Sequence, residues 1–175
     1  METEILLETE RLWLRPLSIL QMEHWLNDLP ALEAEWRIDY RGEALQGIFR
    51  TIVQSQLAKM KAEPERALAH TFWLLIRKSD RAAIGSADFK NPPDKQGRVE
   101  IGYGLDPAFW NYGYMTEAVA AMTRWALERP DIRAVTAETE KDNPASMRVL
   151  EKAGFGLSHE TETAFWWLCG PDEIQ

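Results

Sequence analysis

Between Arg98 and Glu128 the hydrophobic pattern changes period once, from strand-like alternation to a helical repeat, across a corner marked by Pro107 and Gly113. Arg98 to Leu105 reads as a strand and Tyr114 to Glu128 as a helix. Ile132 to Thr139 follows as another strand. Strand, helix and strand in so short a span force a crossover, which lays the two strands parallel with the helix on one face. The rest of the chain has to be built around that unit.

Upstream, Ile5 to Arg15 is strand-like and ends at Pro16. Ser18-Ile19-Leu20-Gln21 is a capping-box pattern that predicts a short helix through Asn27. A loop is expected from Pro30 to Gly42. Leu45, Ile48, Phe49, Ile52, Val53, Leu57 and Met60 then recur at helical spacing, predicting one long amphipathic helix with that face inward and Pro64 as its stop. His70 to Arg77 and Ala82 to Phe89 read as strands leading into Arg98 to Leu105. After the crossover come a helix from Pro144 to Ala153 and strands near Phe155 to Glu160 and Thr163 to Cys169. The order β-α-α-β-β-β-α-β-α-β-β predicts an α+β fold: a mixed, mostly antiparallel central sheet with one parallel βαβ step and helices on both faces.

The 175 residues hold no repeat and no Gly/Ser-rich linker, so one domain over 1–175 is expected. No apolar run reaches the roughly 18 residues that span a bilayer. The acidic start, Met1 to Glu4, runs straight into a strand pattern, which argues against a secretory signal and for the cytoplasm. A net charge of −8 disfavours nucleic acid as a partner and weakly favours a cationic one. The single cysteine, Cys169, excludes an internal disulfide and a thiolate zinc cluster, and it reads as a small buried residue.

Two helix starts carry the chemistry. The first N–H groups of a helix lack internal partners and sit at the positive end of its dipole, so an anion can dock there without a basic side chain. Gly113, with no Cβ, permits that approach before the helix at Tyr114. Taken alone, the corner is better explained as a plain strand-to-helix turn whose glycine closes the corner. Gly102-x-Gly104 does not make a dinucleotide site, because Pro107 stands where that fingerprint needs glycine. The second start is Asn143-Pro144, an N-cap followed by proline at the first helical position, with Gly154 closing the helix.

Tyr103 to Trp110, Gly113-Tyr114-x-Thr116-Glu117-Ala118, and Asn143-Pro144-Ala145-Ser146-x-Arg148-Val149-Leu150-Glu151-Lys152-x-Gly154-Phe155 together resemble the GNAT acetyltransferases. The branch they resemble includes the ribosomal-protein N-terminal acetyltransferases. The resemblance implies acetyl-CoA as acyl donor, no metal, and transfer to a primary amine by direct attack. It implies that backbone groups of Tyr103, Gly104 and Leu105 hold the pantetheine arm between two splayed strands. The corner Trp110, Asn111, Tyr112, Gly113, Tyr114, Met115 and Thr116 would hold the diphosphate. Ser146 would donate a proton to the departing sulfur, and the Asn143 amide would hold the arm or the acceptor.

Glu100 is the leading expectation for the base, with His159 and Glu160 as rivals. Three positions depart from the family pattern: Trp110 replaces the usual Arg or Gln, Met115 the usual Gly or Ala, and Ser158 a frequent Glu. Bulk from Met115 beside the phosphates, with no basic side chain to help, is therefore expected. The acceptor is expected near Leu32 to Tyr40 and Phe165-Trp166-Trp167, where Trp36 and Trp166 serve equally well as core or homodimer contacts. A coenzyme-binding sensor without turnover is the alternative function, favoured by the three departures.

Overall fold

A computed structural model describes residues 4–171; Met1 to Thr3 of the acidic start lie outside them. The strands are β1 (Leu7–Glu8), β2 (Leu12–Pro16), β3 (Asp39–Tyr40), β4 (Phe72–Arg77), β5 (Ala82–Phe89), β6 (Arg98–Leu105), β7 (Ala134–Glu140), β8 (Gly156–Glu160) and β9 (Ala164–Cys169). The helices are α1 (Ile19–Asn27), α2 (Leu29–Trp36), α3 (Gly47–Ala62), α4 (Tyr114–Leu127) and α5 (Pro144–Lys152). Short 3-10 turns cover Pro64–Ala69 and Pro107–Phe109.

The strands form one sheet in the order β1-β2-β4-β5-β6-β7-β9-β8, with β3 beside β5. β6 and β7 are parallel, joined by α4 as the crossover predicts, and the short β3 also runs parallel to β5. The other pairings are antiparallel. Helices cover both faces. One core packs Ile84, Phe89, Val99, Ile101 and Val135 against α4 and Leu150 of α5. The other packs Leu74 and Ile76 against α1, α2 and α3. Cys169 is fully buried at the end of β9, as expected of a small apolar side chain.

The Ser18 hydroxyl accepts from Gln21 N and the Gln21 side chain accepts from Ser18 N, so both bonds of the capping box form at α1. The expected loop from Pro30 to Gly42 is instead mostly α2 and β3. Pro30 sits in the first turn of α2, where a missing N–H costs nothing, and the Asp28 carboxylate accepts from Ala31 N. On α3, Val53, Leu57 and Met60 face inward as predicted, but Ile48 is 80% exposed.

One polar contact sets where α4 begins. The Glu117 carboxylate accepts from Thr9 Oγ1 at 2.5 Å, from Arg11 N at 2.7 Å and from Arg11 Nε at 2.8 Å. These bonds tie the first turn of α4 to the β1–β2 turn. Burial alone would raise the Glu117 pKa, yet the bonds from Thr9 and Arg11 outweigh it and hold the group below its ordinary value. Because the folded value is lowered, the contribution to stability is present above pH 4.5 and fades as pH falls through the folded value. Glu117→Ala is expected to cost about 1–3 kcal/mol at pH 7 in urea unfolding, with the difference from wild type shrinking at pH 3.

Candidate active site

Pairing between β6 and β7 covers only Arg98 to Glu100 against Ala134 to Thr136. Beyond it, β6 stays on β5 while β7 follows β9, and the two strands part. Lys90 N bonds Glu100 O, and Asp106 N bonds Ile84 O, so the even residues of β6 turn their backbone toward β5. The odd residues Tyr103 and Leu105 turn theirs into the gap. The indole N–H of Trp110 takes the Leu105 carbonyl at 2.7 Å. What the gap retains is the backbone of Tyr103 and the Leu105 N–H.

Gly113 caps α4 with φ 81 and ψ 6, a left-handed conformation suited to glycine, and supplies no side-chain cap. The first helical bond runs from Glu117 N to Gly113 O, which leaves the N–H groups of Tyr114, Met115 and Thr116 aimed off the helix end. They face a cavity of about 520 Å³ that Tyr103, Gly104, Trp110, Asn111, Gly113 and Arg148, among others, line. The Met115 side chain is largely buried in the core cluster, and the residue also lines this cavity.

Basic side chains do reach this cavity. Arg148 and Lys152 line it, four residues apart on one face of α5. The Arg11 guanidinium lies 3.3 Å from the place a Gly113 Cβ would take and donates to Tyr112 O at 2.8 Å. Open amides at a helix start together with Arg148 and Lys152, and with the Glu117-paired Arg11 beside them, suit a polyanion such as a coenzyme diphosphate.

At the start of α5, Asn143 Oδ1 accepts from Ser146 N at 3.1 Å, which leaves the NH₂ of that amide for other partners. The Ser146 hydroxyl is 2.7 Å from the Tyr103 hydroxyl, which bridges the gap from β6 to α5. Burial pushes the Tyr103 phenol up to about 12, partly offset by the bond to Ser146, so it is neutral and able to donate near pH 7.

A second cavity, of about 780 Å³, lies on the opposite face of the sheet under α3. Tyr103, Gly104, Asn143 and Ser146 line both, so the cavities meet at the gap. The second one exists because the strands facing α3 carry Ser86 and Asp88 on β5 and Gly102 and Gly104 on β6, too small to fill the space. A Cβ at Gly104 would find nothing within 4 Å. Tyr40, Glu43, Glu138 and Glu140 also line it, and Glu138 and Glu140 are exposed.

Asp88, which sequence reasoning passed over, is the unusual group here. It is only 6% exposed, and no hydrogen-bond donor among the described residues is bonded to its carboxylate. Its Oδ1 leans so closely over β6 that a Cβ on Gly102 would lie 2.7 Å from it. Burial raises its pKa to about 6, with Lys90 lowering and Glu100 raising it. The available signal was an aspartate in the run Ala-Ala-Ile-Gly-Ser-Ala-Asp-Phe, where every other residue suits a strand buried on both faces.

Other expected residues lie elsewhere. Glu100 is ion-paired with Lys90 Nζ at 2.7 Å and is not among the residues lining either cavity. His159 stacks on Trp166 with ring centroids 5.9 Å apart, and Glu160 pairs with Lys141 at 2.9 Å. Within Leu32 to Tyr40 only Tyr40 reaches the second cavity. Trp36 is buried in the core beneath Arg15, and Trp167 donates its indole N–H to Thr139. Phe165, Trp166 and Trp167 are not part of the lining.

A polyanion cradle that opens through a strand gap onto an acidic cavity defines a two-substrate group-transfer site. The acetyltransferase (GNAT) domain matches residues 11–156, and the chain belongs to that family, as an N-acetyltransferase. An uncharacterised N-acetyltransferase of Bacillus subtilis, YoaA, is 27% identical over 86% of this chain and 82% of its own length. Another from the same organism, YjdG, is 33% identical over 55% of this chain, and the match spans 57% of that relative. Among solved structures, a ribosomal-protein-S5-alanine acetyltransferase from Vibrio fischeri shares the fold with TM-score 0.70, 17% identity, and coverage of 98% and 99% of the two chains. A ribosomal L7/L12 acetyltransferase, RimL, solved with coenzyme A, gives TM-score 0.66 and 19% identity over 97% and 99%.

The burial of Asp88 has a consequence for stability. Its folded pKa is raised from 3.8 to about 6, so its contribution to stability is fully present below pH 3.8 and is lost as pH rises through about 6. Asp88→Asn is expected to stabilise the protein by on the order of 2 kcal/mol at pH 8 and to narrow that gain toward pH 4, read by urea unfolding at both values.

Proposed function

We propose that this chain transfers an acetyl group from acetyl-CoA to a primary amine, either of a small molecule or of a peptide N-terminus, by direct attack. The observation that carries the reading is the Tyr103–Ser146 pair, set in the strand gap where the two cavities meet. Acetyl-CoA, when bound, supplies a thioester carbonyl for attack and a thiolate as leaving group. The amides of Gly113 to Thr116, with Arg11, Arg148 and Lys152 close by, hold its diphosphate by charge-assisted hydrogen bonds. The backbone of Tyr103 and the Leu105 N–H hold the arm, and the free NH₂ of Asn143 adds a donor beside it.

Ser146, backed by the high-pKa Tyr103 phenol, gives the departing sulfur a proton. Cys169 is buried at the end of β9 and takes no part, so no covalent enzyme intermediate is needed. The second cavity takes the amine, whose positive charge suits walls carrying Glu43, Glu138 and Glu140. A lysine-type amine, with pKa near 10.4, arrives as the ammonium and has to lose a proton before it attacks.

The test is calorimetric titration of the protein with acetyl-CoA, followed by thiol release in the presence of diamines, amino-acid amides and peptides. Binding with release for at least one amine is expected. Binding without release for any would leave a sensor, and no binding at all would overturn both readings. Ser146→Ala is expected to keep acetyl-CoA affinity within about twofold while lowering kcat about 10²-fold, the range for losing a positioned proton donor. An unchanged kcat would clear Ser146 of the role.

A further inference from the structure

A carboxylate pressed into a sheet with no bonded donor is costly to keep ionised. Asp88 is such a group, and its carboxylate has only the cavity to meet. It is 6% exposed, it sits between Ser86 and Lys90 on the sheet face under α3, and it lines the cavity on the acceptor side of the strand gap. Gly102, its partner across the β5–β6 ladder, has no side chain, and the 2.7 Å between Oδ1 and a Cβ built there shows that only glycine admits this pose. Asp88 and Gly102 line the same cavity as Tyr103 and Ser146, whose hydroxyls meet at 2.7 Å, so the carboxylate shares its space with the reaction centre.

We propose that Asp88 receives the ammonium group of the acceptor and removes its proton. The proposal rests on the amine acetylation set out above and adds the residue that prepares the nucleophile. An ammonium entering the cavity supplies the partner that the fold withholds. The ammonium passes one proton to a carboxylate oxygen of Asp88, leaving a neutral amine and a carboxylic acid. The freed lone pair forms the amide N–C bond as the C–S bond breaks; the nitrogen gives its second proton to the Ser146–Tyr103 hydroxyl pair, which passes one proton to the departing sulfur. Asp88 returns its proton to cavity water when the product leaves.

The surrounding charges agree with this role. On its own strand Asp88 has Lys90, which is engaged with Glu100 of β6 at 2.7 Å. From α3 the cavity receives Gln56 and Lys59, from β7 Glu138 and Glu140, and from β3 and the loop after it Tyr40 and Glu43. Three more carboxylates on the walls draw a cation inward, and none of them is buried as Asp88 is. A pKa near 6 leaves Asp88 ionised at pH 7 to 8 yet closer to the amine in basicity than an ordinary carboxylate, which is what a base requires.

The experiment compares wild type, Asp88→Asn and Asp88→Glu. Each is assayed for acetyl-CoA affinity, for binding of 1,4-diaminobutane, glycinamide and an alanine-initiated hexapeptide at pH 8, and for kcat/KM against pH with whichever of these is acetylated. The expected result is a wild-type profile with an acid limb near pH 6. Asp88→Asn should lose about 10²-fold or more in kcat/KM together with that limb, weaken amine binding at least tenfold, and keep acetyl-CoA affinity. Asp88→Glu should keep an acid limb and recover part of the rate.

Asp88→Asn with wild-type rate and limb overturns the proposal, and so does a lost rate with the limb intact. If wild type binds an amine but acetylates none, the proposed function fails on its own, and Asp88 is judged by amine binding, where unchanged affinity in Asp88→Asn overturns it. A wild-type protein that binds none of the three amines overturns it as well.

Discussion

Everything functional in this molecule follows from the point at which β6 and β7 stop pairing. Three residues of each strand are held together, and then β7 keeps its bonds to β9 while β6 keeps its bonds to β5. The sheet is intact on either side of a wedge. Inside that wedge the backbone of Tyr103 faces open space, the phenol of the same residue reaches across to Ser146, and the cavities on the two faces of the sheet become one passage. The crossover helix α4 starts at the wide end, so its open amides lie beside the opening the strands create.

The passage is electrically divided in a way the net charge of −8 conceals. Arg11, Arg148 and Lys152 stand on the α4–α5 side; Asp88, Glu138 and Glu140 outnumber Lys59 and Lys90 on the side under α3, and Glu43 lines both. A polyanionic donor and a cationic acceptor would each be drawn to its own mouth and meet at Tyr103 and Ser146. Burial next to the opening keeps the Tyr103 phenol neutral and raises the Asp88 carboxyl above its ordinary value. The family assignment and the geometry therefore point the same way from independent starting places.

Local signals were readable and long-range ones were not. The Ser18–Gln21 capping box, the Asn143-Pro144 start of α5 and the period change around Gly113 each depend on neighbours within four residues, and each forms as the sequence predicts. Pro30 misled because proline breaks a helix interior but suits its first turn, and only the Asp28 cap tells the two apart. How much of Met115 is buried is fixed by how α4 packs on the sheet, which no local pattern shows. Arg11 reaches the Gly113 corner from about a hundred residues away, and no local pattern announces that contact. Asp88 was hidden for a related reason: its exposure to a cavity depends on Gly102 across the ladder and on where α3 lies.

The most direct measurement is a ¹H–¹⁵N titration of the assigned protein with coenzyme A, compared with pantetheine, which lacks the diphosphate. If the helix start holds the diphosphate and the wedge holds the arm, coenzyme A shifts the amides of Gly113, Tyr114, Met115 and Thr116 downfield most strongly. Pantetheine would leave those four in place and move only Tyr103 and Leu105. Coenzyme A that binds without disturbing the Gly113 to Thr116 amides would contradict the account at its root.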